Sequence, residues 1–300
     1  MPVYTPRIDV EAITALDFHT HVEADHHGHL SLDQELMDAS AAYFRGDHPR
    51  TPTVEDLAAY YRERRMAAVI FTIDASTGLG HPPLASEEIA ERAADHADVL
   101  IPFGSVDPLQ GPRAVARARH LAEEYGVLGF KFHPGLQAFD PSDAAFAPLW
   151  ATLQELGAVA LFHTGQTGIG AGLPGGRGIK LRYSDPLLLD DVAAEFPHLR
   201  IVMAHPAVPW VDTQISIATH KANVSFDLSG WSPKYFPPQL VRQIAGPLRH
   251  KALFGSDFPV ITPDRWFADA ERLELPDAVR PLLLKENGLR LLGLLPPAGG

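Results

Sequence analysis

The sequence predicts a closed (β/α)8 TIM barrel in a single domain spanning residues 1–300, and three observations point there. Short apolar runs recur eight times, at 16–19, 67–72, 99–105, 128–133, 159–165, 201–205, 224–229 and 252–257. Buried parallel strands read as such runs, whereas half-exposed strands alternate. Segments of helical period separate the runs, and regular alternation of strand and helix marks an α/β fold. The 300-residue length also fits, since a barrel of this kind takes roughly 250 residues as one unit.

Taken in order, the first run ends in Asp17-Phe18-His19-Thr20-His21 and is followed by a long, His-rich, partly helical connection over 22–52. A helix over 86–94 follows the second run, and another over 112–125 opens with Pro112 and closes at Gly126, the usual asymmetry of helix ends. The fifth run leads into a Gly-rich connection over 166–184. It lacks the spacing of a phosphate or dinucleotide loop, so it is expected to be mobile rather than a nucleotide cradle. A helix over 185–196 starts with Asp185 as N-cap before Pro186. In a barrel the loops after the strands form the active-site rim, which places both long connections against substrate. The tail 296–300 is expected to fray, and no repeat of fixed period is present.

Composition narrows the function. The chain has no cysteine, which excludes disulfides and thiolate metal ligands. A formal charge of −12 without a clustered basic face argues against nucleic acid as a partner. No apolar run reaches the ~20 residues that span a bilayer, and the first residues lack a signal-peptide pattern. The expectation is a cytoplasmic protein with a small-molecule substrate.

Four runs end in metal-ligand side chains: His19 and His21, Lys131 and His133, His163, and Asp257. Side chains two apart on a strand share a face, so His19 and His21 can reach one ion. Brought together at strand ends, His19, His21, His163 and Asp257 form a three-imidazole, one-carboxylate set suited to Zn2+, with Mn2+ or Fe2+ as alternatives. Such an ion lowers the pKa of bound water to near ~7 and polarises a carbonyl. Asp257 would then ligate and also accept the water proton; alternatively it caps a turn, and His163 is a satisfied core histidine. Lys131 on a barrel interior is costly unless paired or modified. It is carbamylated and bridges two ions, or binds a substrate carboxylate, or is ion-paired within the barrel. His205 ends the sixth run as a further ligand or a proton carrier. Asp257, His205 and Lys131 are thus the candidate catalytic groups. Glu23 either orients His21 or is a surface acid, and the cluster His26, His27 and His29 is expected to face solvent.

The Asp-Phe-His-Thr-His start, Lys131-Phe-His133-Pro, the fifth- and sixth-strand histidines, Gly-Ser-Asp257-Phe-Pro and the closing Lys285-Glu-Asn287-Gly-Leu-Arg-Leu-Leu resemble the amidohydrolase superfamily. More narrowly, the chain resembles the amidohydrolase 2 branch, with its aminocarboxymuconate semialdehyde and γ-resorcylate decarboxylases and its lactonases. Parts of it also resemble hydrolases that cleave aryl β-ketoacyl-CoA thioesters. The resemblance implies His19, His21, His163 and Asp257 as ligands of one ion or two, with His205 as the catalytic histidine. Lys131 matches the carbamylated lysine of binuclear relatives. A homodimer is expected by the same analogy. Resorcylate-type decarboxylases place an acid two residues before a single histidine, whereas here both histidines are present. Metal-dependent hydrolysis next to a carbonyl is therefore the leading expectation, cofactor-free decarboxylation of an aromatic or muconate-type acid the alternative, and a non-catalytic ligand-binding barrel the remote one.

For substrate binding the sequence offers two groups besides His133. Trp231, Lys234 and Tyr235 after the seventh run suit a planar anionic substrate. Arg177, Lys180 and Arg182 on the Gly-rich connection are expected to meet a larger anion, or else to be solvated loop charges.

Overall fold

The computed structural model describes residues 1–45 and 50–297. The end of the tail, 298–300, and part of the first long connection, 46–49, lie outside them. Eight parallel strands run in chain order: β1 (Ala15–His21), β2 (Met66–Phe71), β3 (Leu100–Pro102), β4 (Gly129–Phe132), β5 (Val159–His163), β6 (Arg200–Ala204), β7 (Val224–Asp227) and β8 (Ala252–Leu253). Their ladders form two arcs, β1-β2-β3 and β4 to β8. Backbone bonds across the two gaps close the barrel. Lys131 N donates to Gly104 O at 2.9 Å, and Phe18 N to Phe254 O at 2.9 Å. The third and eighth strands are shorter than the apolar runs because the ladder ends before the rim at the C-terminal ends of the strands. Pro102 has no N–H to donate, and beyond Leu253 the chain turns through Gly255 and Ser256 into the rim.

Helices return the chain between strands, among them Val54–Glu63, Ser86–Asp95, Pro112–Glu123, Ala147–Glu155, Leu188–Glu195 and Val211–His220. The helix expected from 185 starts at Leu188, because Asp185 Oδ1 accepts from Leu187 N in a preceding turn. Among the described residues no helix is long and apolar enough to cross a membrane.

Two apolar layers hold this arrangement. Leu16, Phe18, Val69, Phe71, Ile101, Phe103, Val159, Leu161, Val202 and Leu253 fill the barrel, closed below by Leu289 and Leu292. Outward-facing Phe130, Phe132, Ala160 and Phe162 pack with Trp150 and Leu153 of the surrounding helices. Phe132 stacks on Phe162 at 5.1 Å, and Trp150 meets Phe132 edge-on, also at 5.1 Å. Trp150→Ala is expected to cost about 3–5 kcal/mol, read from urea denaturation midpoints; a loss well under about 1 kcal/mol would show that this seam is not tightly packed.

The strand β1 departs from simple alternation, and the site depends on it. Its register with β2 shifts between Asp17 and Thr20. Phe18 points into the barrel, and Asp17 and Thr20 both meet Tyr61 on the helix outside, at 2.7 and 3.0 Å. Two neighbours, Phe18 and His19, therefore both face inward, the former filling the core and the latter reaching the mouth. A bulge re-aims a side chain in this way.

Candidate functional site

At the C-terminal end of the barrel, His19, His21 and Asp257 converge. His19 Nε2 lies 3.3 Å and His21 Nε2 3.2 Å from Asp257 Oδ1. His205 joins the group, with ligand atoms of His19, His205 and Asp257 all within 4.8 Å of one another. His163 meets them through His205, its Nδ1 standing 3.0 Å from His205 Nε2, while its own Nε2 is buried without a hydrogen-bond partner. Of the sequence candidates, then, His19, His21, His205 and Asp257 form the tight cluster and His163 flanks it.

Two of these residues sit in left-handed backbone, His205 at φ 68° and Asp257 at φ 70°. Such conformations cost energy for residues with a Cβ and gather at functional sites. Here they turn each side chain toward the barrel axis just past the end of its strand. Gly230 makes room for one of them, since a Cβ there would stand 2.6 Å from His205 Nδ1.

A buried carboxylate missed by the sequence reading organises the group. Asp227 ends β7, and its Oδ2 lies 2.9 Å from His19 Nδ1. Its Oδ1 accepts from the backbone N–H groups of His205 and Ser229, both at 3.0 Å, and from Ser229 Oγ at 2.5 Å. Ser229 Oγ stands 2.8 Å from His205 Nδ1. Because the Ser229 hydroxyl gives its proton to Asp227, it accepts from His205 Nδ1–H. The network assigns the Nδ1–H tautomer to both His19 and His205. Their Nε2 lone pairs therefore face the cluster, the orientation a metal-ligating histidine needs. The sequence signal was available: Asp227 is an acid ending a buried apolar run.

Lys131 is buried at the floor, with Nζ 3.1 Å from His19 Nε2 and 5.0 Å from the centre of the Phe71 ring. No carboxylate lies within salt-bridge distance among the described residues, so it is not held as an intrabarrel ion pair. Its ammonium donates to the lone pair that a cation would otherwise take. Burial pulls its pKa down to about 8 against the opposing pull of Asp227 and Asp257. His133 lies one residue past β4 as the N-cap of a short turn. Its Nδ1 accepts from Leu136 N at 3.3 Å, so its proton is on Nε2, which is buried and unpartnered, and its ring stacks on His163 at 3.8 Å.

Charge follows from burial and partners. Desolvation brings His19 down to about 3 and lowers His133, His163 and His205, leaving neutral imidazoles with lone pairs to share. Burial alone would raise Asp227 and Asp257. Hydrogen bonds from His19 and Ser229 hold the first well below the carboxylate range, and the bond from His21 does so for the second. Neutral imidazoles around ionised Asp257, with an orphaned His163 Nε2 beside them, fit a divalent cation.

The cluster floors an open cavity of about 500 Å³, within the range of small-molecule sites. Trp231 and Tyr235 line it, as do His133 and Lys131. The other expected substrate contacts do not reach it. Arg177 bonds Glu35 at 2.8 Å and Asp33 at 3.3 Å, tying the two long connections together. Arg182 bonds Tyr183 Oη, Lys180 is exposed, and Lys234 turns to Asp269 at 3.8 Å. In each case solvent or a neighbouring side chain draws the charge outward. Arg45, Arg50 and Arg265 line the cavity instead. His26 and His29 pair with Glu88 and Asp25 away from the site, and Glu23 accepts from Ser31 with its Oε1 3.9 Å from His21 Nδ1.

Comparison with solved structures returns the same fold. An uncharacterised TIM-barrel protein from Bordetella bronchiseptica is similar at 20% identity and a TM-score of 0.76, with 93% of this chain and 98% of that one covered. The 5-carboxyvanillate decarboxylase of Sphingomonas paucimobilis is similar at 15% identity and 0.66, covering 94% and 99%. A dihydroxybenzoic acid decarboxylase from Polaromonas, solved with manganese and the inhibitor 2-nitroresorcinol, is similar at 17% identity and 0.62, covering 94% and 97%. No curated protein matches the chain. The amidohydrolase family model matches residues 17–294, a span holding every residue of the cluster, and the chain belongs to the amidohydrolase family.

Proposed function

We propose that the protein is a metal-dependent lyase that removes the carboxyl group of an aromatic or similarly conjugated acid as CO2. The observation that carries the reading is the convergence of His19, His21 and Asp257 beside the buried Lys131 ammonium at the closed end of a cavity. The two decarboxylases that share the fold, one of them holding manganese, support it.

His19, His21 and Asp257, with His163 or His205, are the residues that would hold the ion. When bound there, a divalent ion supplies Lewis acidity toward a substrate oxygen next to the breaking bond. Lys131 Nζ meets the substrate carboxylate from below, and His133 Nε2–H offers a neutral donor to a second oxygen. Trp231 offers its face to a planar ring. In the reaction the C–C bond breaks, its electron pair stays on the ring carbon, CO2 leaves, and that carbon takes one proton. His205 is placed to pass the proton, because its Nε2 faces the cluster and the Ser229–Asp227 chain behind its Nδ1 partly offsets the burial that holds it neutral.

A second reading is hydrolysis next to a carbonyl, including C–C cleavage of an aryl β-ketoacyl thioester. The open mouth favours it, because water and a substrate larger than a single ring can both enter. Incubating the metal-loaded enzyme with 2,6-dihydroxybenzoate and related hydroxybenzoates, and separately with aryl β-ketoacyl thioesters, separates the two. The lyase reading expects CO2 release matching loss of the acid. Thioester cleavage with no CO2 from any aromatic acid would replace it with the hydrolase.

A further inference from the structure

The cavity mouth carries a set of side chains that the chemistry at its floor does not use. Arg45, Arg50 and Arg265 line it, and so do Tyr43, Phe44 and Tyr235. Those three are the exposed aromatics among the described residues, at 47%, 37% and 65% of their full accessibility. Large apolar groups left in water around a concave opening mark a binding surface.

Charge points the same way. The chain carries a formal charge of −12, yet among the described residues only Glu23 and Asp257 bring carboxylates to this cavity. Both are engaged at the floor, with Ser31 and His21 or with His19 and His21. Several arginines elsewhere are ion-paired, as Arg117 is to Glu87 and Arg119 to Glu155, both at 2.9 Å or less. At the mouth neither Arg45 nor Arg50 has an ion-pair partner among the described residues. Arg265 Nε stands 4.0 Å from Asp269 Oδ2, an oxygen that Ser232 Oγ already occupies at 2.5 Å. Arg50 Nη1 bonds Pro259 O at 3.4 Å, and Pro259, Val260 and Ile261 line the cavity just before the helix Pro263–Ala270 that carries Arg265. Two guanidinium groups thus flank one loop, next to Tyr235 and Trp231.

We propose that this mouth is a second subsite, which binds a planar ring system bearing an anionic group on the part of the substrate that extends away from the reacting end. The proposal rests on the reading of the floor as the reaction centre, but its chemistry is separate. Guanidinium groups pair with oxyanions in bidentate fashion and stack on rings, and exposed tyrosines give a ring an apolar face. Substrates with such an extension are held by both ends, and single-ring acids use the floor alone.

Binding of a naphthalene disulfonate to the metal-loaded enzyme tests this without turnover, because sulfonates pair with arginine and barely coordinate divalent ions. Titration calorimetry at low salt is expected to show binding that weakens about tenfold or more in Arg50→Ala/Arg265→Ala. Added salt should weaken it as well. Arg119→Ala, an exposed arginine away from the cavity, should bind as the unaltered protein does. The double variant should turn over single-ring acids with unchanged kcat. Equal binding by the double variant and the unaltered protein would overturn the subsite while leaving the reaction centre standing, and so would equal weakening by Arg119→Ala. Loss of turnover with the probe still bound at the mouth would instead count against the reading of the floor.

Discussion

Asp227→Asn is expected to weaken metal binding by about 10–100-fold, the effect of removing a group that orients ligand histidines. Asp227 accepts from four donors: His19 Nδ1 on one oxygen, and His205 N, Ser229 N and Ser229 Oγ on the other. An asparagine has only one acceptor oxygen, so one side must lose its partners. If the amide NH2 faces His19, that imidazole moves its proton to Nε2 and can no longer ligate. If it faces Ser229, three donors are stranded, and each buried unsatisfied group costs about 1–3 kcal/mol. Chelator competition reads the affinity, and long-range nitrogen NMR of the histidine rings reads the tautomers. Unchanged affinity together with an unchanged Nδ1–H His19 would remove Asp227 from this role. Ser229→Ala should disturb His205 alone and leave His19 as it is.

Asp257→Asn is expected to lower turnover by about 10²–10⁴-fold, on the scale of losing a positioned acid-base group, with metal affinity falling too. Asp257 is the one carboxylate in the tight cluster, 3.2 Å from His21 Nε2 and 3.3 Å from His19 Nε2. The substitution should not unfold the protein. The backbone bond from Asp257 N to His19 O at 3.0 Å is kept, and asparagine tolerates the left-handed φ of 70°. Circular dichroism should therefore be unchanged while kcat collapses. Full turnover by Asp257→Asn would mean that the reacting centre lies elsewhere in the cavity.

The strand order and the ligand types were legible in the sequence because both depend on local pattern. Apolar runs ending in His or Asp marked strands and their rim residues together, and His19, His21 and Asp257 meet at the rim, while His205 stands in the tight cluster where those runs pointed to His163, which flanks it. The finer placement was not legible, since it depends on backbone irregularities that residue types do not announce. The bulge that turns Phe18 and His19 to the same side, and the left-handed turns at His205 and Asp257, are set by tertiary contacts. The cations were misplaced for a related reason. Arg177 lies on the expected rim loop, but its partners Asp33 and Glu35 are over a hundred residues away in sequence and draw it outward.

Whether a divalent ion sits among His19, His21 and Asp257 and is needed for turnover is tested most directly by elemental analysis. Protein purified without chelators would be compared with the same protein after metal removal and reloading, with turnover followed in parallel. The expected result is at least about one ion per chain, activity lost with the ion and restored with it, and neither retained in Asp257→Asn. Less than about half an ion per chain in fully active protein would contradict the account.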